Sequence, residues 1–160
     1  MTAGQKTLEE LAALLPEKRR LIGLDIGTKT IGLALSDVER RLATPLETIR
    51  RVKFTKDAER LAAFLAQFDI GALIVGLPLN MDGSEGPRAQ ATRAFMRNFD
   101  ATRRTPYAFW DERLSTAAVT RELLAQDVSR AKRAEVVDRM AAAYILQGAL
   151  DRLGRLATGG

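Results

Sequence analysis

The 160-residue chain contains no cysteine and no histidine. The lack of cysteine excludes disulfides and thiol nucleophiles, and the lack of histidine excludes His-based triads; together they remove the common zinc sites. No run of about 18 apolar residues is present, so we predict no membrane-spanning segment. Residues 1–20 contain acidic side chains and no apolar core of a secretory signal. We therefore expect a cytoplasmic protein.

Basic residues are in excess. Lys and Arg number 25 against 20 Asp and Glu, which gives a net charge of +5. This excess favours an anionic partner, with nucleic acid first and a membrane surface second. The hydrophobic fraction of 46% and the charged fraction of 28% are typical of a globular chain, and the length suits one domain. Chemistry in such a chain depends on carboxylates, hydroxyls, Lys or Arg, backbone groups or a metal held by oxygen.

Hydrophobic periodicity and turn residues predict an α/β domain. Thr7 begins a capping box followed by leucines at helical spacing, which predicts a short helix over 7–15. Two apolar runs, 21–26 and 31–36, flank a short turn and predict a β-hairpin. Leading antiparallel strands followed by βα crossovers imply a mixed sheet flanked by helices. The other predicted elements are a strand within 41–51 that is irregular at Pro45, a helix at 56–68, a strand at 71–75 that breaks at Gly76, a loop at 80–87, a helix at 88–99, a strand at 105–110, a helix at 115–126 and a last helix ending near 153.

Asp25 interrupts the first apolar run of the hairpin. A buried carboxylate is costly unless a cation or hydrogen-bond donors compensate it, so Asp25 is a candidate functional residue. The alternative is that strand alternation places it on a solvated face with Gly23 and Gly27. The turn that follows offers a glycine, the Thr28 hydroxyl and the Lys29 ammonium group, which suit a phosphate. The residue order is not that of a P-loop.

Asp111 and Glu112 follow a predicted strand, where α/β domains place reactive groups. Alternation sends the two side chains to opposite faces, so only one of them can join Asp25, and the pattern does not decide which. Either acid can instead favour the start of the next predicted helix, which Ser115 would cap.

Asp138 is a further candidate because it lies on an apolar helix face. The small residues of that face would let the helix pack close to a sheet and carry Asp138 toward the strands. The alternative is a surface salt bridge, for instance with Arg139 or Lys132. The residues that share the face are Ala141, Ala142, Ile145 and Ala149.

Separated carboxylates without histidine suit hard cations such as Mg²⁺, which prefer oxygen ligands. Two such ions roughly 4 Å apart can stabilise the attacking and leaving oxygens of a phosphodiester displacement. Lys29 or Arg113 would offset the phosphate charge, and Asn80 would donate to phosphate or base, although Asn80 to Gly83 is also ordinary turn chemistry. A positive neighbourhood is added by Arg88, Arg93, Arg97, Arg103 and Arg104.

Three motifs, in this order, resemble the YqgF (RuvX) family: LDIGTKTIG over 24–32, VGLPLNMDG over 75–83 and WDERLST over 110–116. The resemblance covers about residues 20–152. These bacterial proteins have a ribonuclease H-like fold and are known as pre-16S rRNA nucleases, and earlier as Holliday junction resolvases. The resemblance implies a five-stranded mixed sheet with three antiparallel leading strands over 19–153, after a short N-terminal extension, 1–18, and before a flexible tail, 154–160.

The resemblance also implies roles for particular residues. Asp25, Glu112 and Asp138 would form the catalytic, metal-binding set, which selects Glu112 over Asp111. The cofactor would be Mg²⁺ or Mn²⁺. Gln147 stands where we expect another acid, so no fourth carboxylate is predicted. The substrate-binding candidates are Gly27, Thr28, Lys29, Asn80, Arg113, Ser115 and Thr116.

Three functions with a nucleic-acid partner stay open. The first is a nuclease that matures the 5′ end of 16S rRNA, with pre-16S rRNA or the pre-ribosome as partner. The second is a Holliday junction resolvase acting on branched DNA, which would need a symmetric dimer to cut two strands. The third is a non-catalytic RNA-binding assembly factor, against which the acidic trio argues. We expect a monomer or a weak homodimer without membrane partners. A sugar-kinase-like ATPase is excluded because the chain is too short for two lobes.

Overall fold

The computed structural model describes residues 4–115 and 130–158. Five strands form one mixed sheet in the order β3-β2-β1-β4-β5. The first three strands are antiparallel neighbours, β4 is parallel to β1, and β5 is parallel to β4. The predicted mixed sheet with three antiparallel leading strands is therefore confirmed. The strands are β1 (Arg20–Ile26), β2 (Thr30–Ser36), β3 (Ala43–Arg50), β4 (Ile70–Leu77) and β5 (Tyr107–Asp111).

Helices cover both faces of this sheet. They are α1 (Leu8–Leu14), α2 (Phe54–Gln67), α3 (Pro87–Arg103) and α4 (Arg130–Ala157), and a 3₁₀ turn, Glu112–Leu114, follows β5. The predicted helix at 115–126 lies outside the described residues, apart from Ser115. None of the helices in the described part of the chain is long and apolar enough to cross a membrane.

Several boundaries differ from the prediction. The strand β4 does not break at Gly76 but continues to Leu77, because Gly76 pairs with Trp110 in β5. The last helix continues past 153, so residues 154–157, predicted as part of a flexible tail, are helical. The irregularity predicted at Pro45 is present: the register between β2 and β3 shifts at that point.

The sheet separates two apolar clusters. On one side, α4 and α1 pack against the odd-numbered residues of β1, of which Leu21 is fully buried. On the other side, α2 and α3 cover Ile22, Leu24 and Ile26. The predicted N-terminal extension is part of this packing, since Leu11 of α1 lies in the first cluster and Gln5 pairs with Tyr107 at the edge of β5. The capping box of α1 is confirmed by hydrogen bonds in both directions between Thr7 and Glu10.

Candidate functional site

Asp25 lies near the end of β1, in the central part of the sheet, and only 2% of its surface is exposed. It faces α4, as does Gly23 two residues earlier, since a Cβ on Gly23 would lie 2.7 Å from the Cβ of Leu146. The alternative of a solvated face is therefore wrong. In the antiparallel register with β2, Asp25 is opposite Gly32. In the parallel register with β4, Leu24 is opposite Val75, so the next pair places Gly76 on the other side of Asp25.

The glycines beside Asp25 let α4 approach the sheet closely. A Cβ on Gly32 would overlap the backbone carbonyl of Asp138 and lie 2.9 Å from the amide nitrogen of Arg139. A Cβ on Gly76 would overlap the end of the Ile145 side chain. The four residues that share the predicted face of α4 with Asp138 are all buried, as predicted. Glycine inside a strand often marks such a close approach, and here it brings Asp138 to the hairpin.

Asp138 meets β2 through both its backbone and its side chain. The hydroxyl of Thr30, at the start of β2, donates a hydrogen bond to Oδ2 of Asp138. Thr30 is 8% exposed, so this bond lies in a shielded part of the site. At least one oxygen of the half-buried Asp138 carboxylate therefore contacts the start of β2, next to the β1–β2 turn.

Glu112 and Asp111 diverge at the end of β5. Glu112 is 5% exposed, and its carboxyl carbon lies 3.3 Å from the position of a Cβ on Gly76. Asp111 accepts hydrogen bonds from the backbone amide and the guanidinium of Arg113. This guanidinium lowers the pKa of Asp111, and Asp111 in turn raises the pKa of Arg113. The predicted divergence of the two acids is therefore present, with Glu112 on the buried side.

The elements that carry the three acids lie around β1. Asp138 is on α4 over Gly32 of β2, and the Glu112 carboxyl group lies beside Gly76 of β4, so the two strands that flank β1 each have one of the other acids next to them. Within residues 4–115 and 130–158, no group of three or more Asp, Glu, His or Cys side chains is arranged to hold a metal ion. The three-carboxylate metal pocket stays a prediction. The carboxylate of Asp138 reaches Thr30 in this arrangement.

The donor chemistry fits a hard divalent cation. The three acidic side chains offer oxygen ligands, which Mg²⁺ and Mn²⁺ prefer over other donor types. Burial of Asp25 and Glu112 makes their negative charge costly without a compensating cation or hydrogen bonds. The close seating of α4 on Gly32 adds the third carboxylate from a different element.

The β1–β2 turn presents Thr28 and Lys29 to solvent, beside Asp25. The conformation of the turn is fixed by Arg51, whose guanidinium donates to the Gly27 carbonyl at 2.6 Å and whose amide donates to the Lys29 carbonyl at 2.8 Å. Arg51 is not among the residues predicted from the sequence. One sequence signal does indicate it. Arg51 comes just after a strand, and an acid, Asp57, follows six residues later in the first turn of a helix.

Arg51 is itself held by α2. Its Nε lies 3.5 Å from the buried carboxylate of Asp57, and its guanidinium lies over the Phe95 ring at 5.3 Å. Asp57 also accepts from the Val52 amide at 3.0 Å. The turn that carries Thr28 and Lys29 is thus connected to the far side of the sheet through one side chain.

The loop after β4 has internal hydrogen bonds. The Asn80 side-chain amide donates to Oγ of Ser84, and Ser84 donates to Asp82 through both its amide and its hydroxyl. Arg113 donates to the Met81 carbonyl, which joins this loop to the end of β5. These contacts support the turn interpretation of Asn80. They also show that Arg113 contacts Asp111 and the loop.

Two predicted substrate contacts remain. Ser115 donates its hydroxyl to the Glu112 carbonyl at 3.2 Å and closes the 3₁₀ turn. Thr116 lies outside the described residues.

Gln147 has a structural role that suits an amide. Its Oε1 accepts from the Ala43 amide at 2.9 Å, and its Nε2 donates to the Arg41 carbonyl at 2.9 Å and to Asp151. A carboxylate at this position would lack the donor. Gln147, at the position where an acid was expected, therefore links α4 to the start of β3.

A family model described as RuvX, Holliday junction resolvase, matches residues 19–152. The chain belongs to the RuvX family. A protein from Beijerinckia indica named "Putative pre-16S rRNA nuclease" is 70% identical over 146 residues, which cover 91% of this chain and 88% of that protein. A relative of the same name from Methylocella silvestris is 67% identical over 98% of this chain and 97% of its own. The resemblance found in the three motifs is thereby confirmed.

Solved structures show the same fold. RuvC from T. thermophilus in complex with a Holliday junction matches 85% of this chain and 96% of its own, with a TM-score of 0.53 and 14% identity. The yeast mitochondrial Holliday junction resolvase Ydc2 matches 94% of this chain and 86% of its own, with a TM-score of 0.52 and 12% identity. The predicted ribonuclease H-like fold is therefore confirmed.

Proposed function

We propose that this chain is a divalent-metal-dependent nuclease that hydrolyses phosphodiester bonds of precursor 16S rRNA, at its 5′ end, in the cytoplasm. The observation that carries the proposal is the placement of Asp25 between two strand glycines, with Asp138 over Gly32 and the Glu112 carboxyl group beside Gly76. These positions, on three separate elements around β1, support a shared metal site for the three acids. The relatives' name supports rRNA as the substrate.

Asp25, Glu112 and Asp138 would hold Mg²⁺ or Mn²⁺. A bound divalent cation supplies Lewis-acid chemistry to phosphoryl oxygens and activates a nucleophile at neutral pH. The burial of Asp25 and Glu112 excludes bulk water from their carboxylates, which strengthens their interaction with a cation. Asp138 is oriented by the Thr30 hydroxyl.

The substrate phosphate would contact the β1–β2 turn. Lys29 supplies a positive charge there and Thr28 a hydroxyl, both exposed beside Asp25. Two hydrogen bonds from Arg51, one from its guanidinium and one from its amide, hold the backbone of the turn, so that backbone need not be ordered when substrate binds. Arg113 serves the site indirectly, because it holds the loop at Met81 and Asp111 at the strand end.

A DNA junction is the second candidate substrate, favoured by the description of the family model. A junction needs two symmetric cuts and therefore a dimer, whereas we propose a monomer or a weak homodimer for the rRNA nuclease. Carboxylates alone do not distinguish RNA from DNA, since the phosphodiester is common to both. RNA selectivity requires contacts to the 2′-hydroxyl.

The test is cleavage by the purified chain of a precursor 16S rRNA fragment that includes the 5′ processing site, beside a four-way DNA junction. Reactions contain Mg²⁺, Mn²⁺ or chelator, and the variants are Asp25→Asn, Glu112→Gln and Asp138→Asn. We expect cleavage of the RNA with either metal, and loss of at least about 100-fold in rate for each variant and with chelator. Calorimetric titration with Mn²⁺ reports metal binding independently of cleavage.

A matched control is Asp151→Asn, which changes the same residue type on the same helix away from the site. It should cleave like the unchanged chain. Full activity in chelator or in the Asp138→Asn variant would contradict the metal mechanism. Cleavage of the junction but not of the RNA would favour the resolvase, and RNA binding without cleavage in any condition would favour the assembly factor.

A further inference from the structure

A groove of about 750 Å³ lies at the outer edge of β5. Its walls come from the N-terminal segment at Gln5 to Glu9, from the end of β5, and from arginines of α3 and α4. Lys6 and Arg155, which both line the groove, lie outside residues 19–152, the range of the family match. The groove is therefore partly built by segments to which the proposed function gives no role.

The groove is positively charged. Four basic and two acidic side chains line it, the acids being Glu9 and Asp111. Ion pairs link Asp111 to Arg113 at 2.6 Å, Glu9 to Arg152 at 3.6 Å and Arg93 to Glu85 at 2.7 Å. The lining side chains still carry a net positive charge, which suits an anionic ligand. The basic residues that line it are Lys6, Arg93, Arg152 and Arg155.

The groove also offers a stacking surface and backbone groups. The Arg93 guanidinium lies over the Phe109 ring at 4.8 Å, an arrangement on which a base can stack. The amide and carbonyl of Tyr107 bond outward to the N-terminal segment, to Gly4 and Lys6. By strand alternation, the amide and carbonyl of Phe109 lie on the same outer edge, along the groove.

The groove begins beside the candidate site. Asp111 and Leu114, which line it, bracket Glu112, and Leu114 is 68% exposed. A chain leaving the site past the end of β5 would enter the groove at once. We propose that this groove binds single-stranded RNA that continues from the cleavage position. The proposal rests on the proposed function for its substrate class, and it gives the N-terminal extension a role in RNA binding.

Single-stranded RNA is favoured over a duplex because unpaired bases can reach the Arg93–Phe109 pair and the edge of β5. Trp110, the only tryptophan of the chain, lines the groove. Its indole nitrogen is buried and has no hydrogen-bond partner among the described residues. Because Trp110 is 7% exposed and forms part of the groove wall, its fluorescence reports changes in that wall when a ligand binds.

The test measures binding of a fluorescein-labelled 12-nucleotide single-stranded RNA of mixed sequence, in chelator, over a range of KCl concentrations. The groove variant carries Lys6→Gln and Arg155→Gln. The control variant carries Lys56→Gln and Arg60→Gln, exposed on α2 across the sheet, so both lose the same net charge. We expect the groove variant to bind more weakly, with a slope of log Kd against log salt that is smaller by about 1.4, at about 0.7 per lost phosphate contact. The control variant should keep the slope of the unchanged chain. RNA should quench Trp110 fluorescence equally in the unchanged chain and the control variant, and less in the groove variant.

If the groove and control variants have equal slopes of log Kd against log salt and equal Trp110 quenching, the proposal is wrong. A protein partner would then be the candidate ligand of this edge. The proposal is also wrong if the groove variant loses affinity only for duplex RNA of the same sequence and not for the single strand. Thermal melts verify folding, and the single Arg155→Gln variant keeps the test valid if the change at Lys6 disturbs the N-terminal segment. Because chelator prevents metal-dependent cleavage, a chain that binds RNA in the groove but never cuts it would reject the proposed function alone.

Discussion

The substitution Gly32→Ala tests how closely α4 is seated on the hairpin. The added Cβ would overlap the Asp138 carbonyl and approach the Arg139 amide nitrogen to 2.9 Å. Ordinary contacts between non-bonded carbons are about 3.5 Å or longer. The atoms in the way are helix backbone, which cannot rotate aside, so α4 has to move away from β2.

The expected cost follows from two opposing effects. Overpacking of a tight interior costs about 1–3 kcal/mol, and contact with backbone favours the upper part of that range. Alanine gains about 0.5–1 kcal/mol over glycine because the unfolded chain is less flexible. We therefore expect the free energy of unfolding to fall by about 2 kcal/mol, which lowers the Tm by about 4–8 °C in a domain of this size.

The measurement is chemical unfolding followed by Trp110 fluorescence and by circular dichroism. The control is Gly154→Ala in α4, where a Cβ would meet nothing within 4 Å. This variant has the same effect on the unfolded chain and should gain about 0.5–1 kcal/mol. If Gly32→Ala is as stable as the unchanged chain while Gly154→Ala gains, the seating of α4 on Gly32 is wrong.

Three further predictions concern polar contacts that hold the fold. Gln147→Glu removes the donor to the Arg41 carbonyl and places a second carboxylate beside Asp151. The free energy of unfolding in urea should therefore fall by about 1–2 kcal/mol, and an unchanged midpoint would refute the role of the amide. Asp57→Ala removes the buried carboxylate that accepts from the Val52 amide and pairs with Arg51, and we expect a loss of about 2–4 kcal/mol in the same assay. A loss below about 0.5 kcal/mol, roughly the size of a surface effect, would count against this role. Backbone amides lower the pKa of Asp37, so its stabilising effect is present above its unfolded pKa of about 3.9 and is lost as the pH falls through the lower folded value. Asp37→Asn should therefore melt at a lower temperature than the unchanged chain near neutral pH, and this gap should shrink as the pH falls below the unfolded value and through the lower folded value. A pH-independent gap would contradict the carboxylate's role.

Much of the fold was predictable because its signals are local. The capping box at Thr7, the two apolar runs of the hairpin and the amphipathic pattern of α2 depend on spacing within a few residues. Asp25 could also be singled out from the sequence, because a carboxylate inside an apolar strand is costly to bury wherever the strand lies in the sheet. Element boundaries were less accurate at Gly76, where the strand continues because β5 pairs with it.

The contacts that assemble the site could not be predicted, because they join distant residues. The bond from Thr30 to Asp138 spans 108 positions, and nothing near either residue indicates the other. The role of Arg51 depends on α2 packing beneath the hairpin turn. Glycines inside the strands were the available signal for a helix at contact distance, but a glycine alone does not tell which helix approaches.

The tripeptide Asp111-Glu112-Arg113 shows how one short motif can serve two purposes. Strand alternation turns Glu112 toward Gly76 and the buried site, while Asp111 and Arg113 pair on the outside. That pair also holds the Met81 carbonyl, so the loop after β4 is fixed to the same strand end that positions Glu112. A substitution at Arg113 would then release the loop and Asp111 together without touching the buried carboxylate. Loss of activity at Arg113 therefore does not by itself identify a phosphate contact, and the loop has to be followed separately, for instance by proteolysis at Met81 to Gly86.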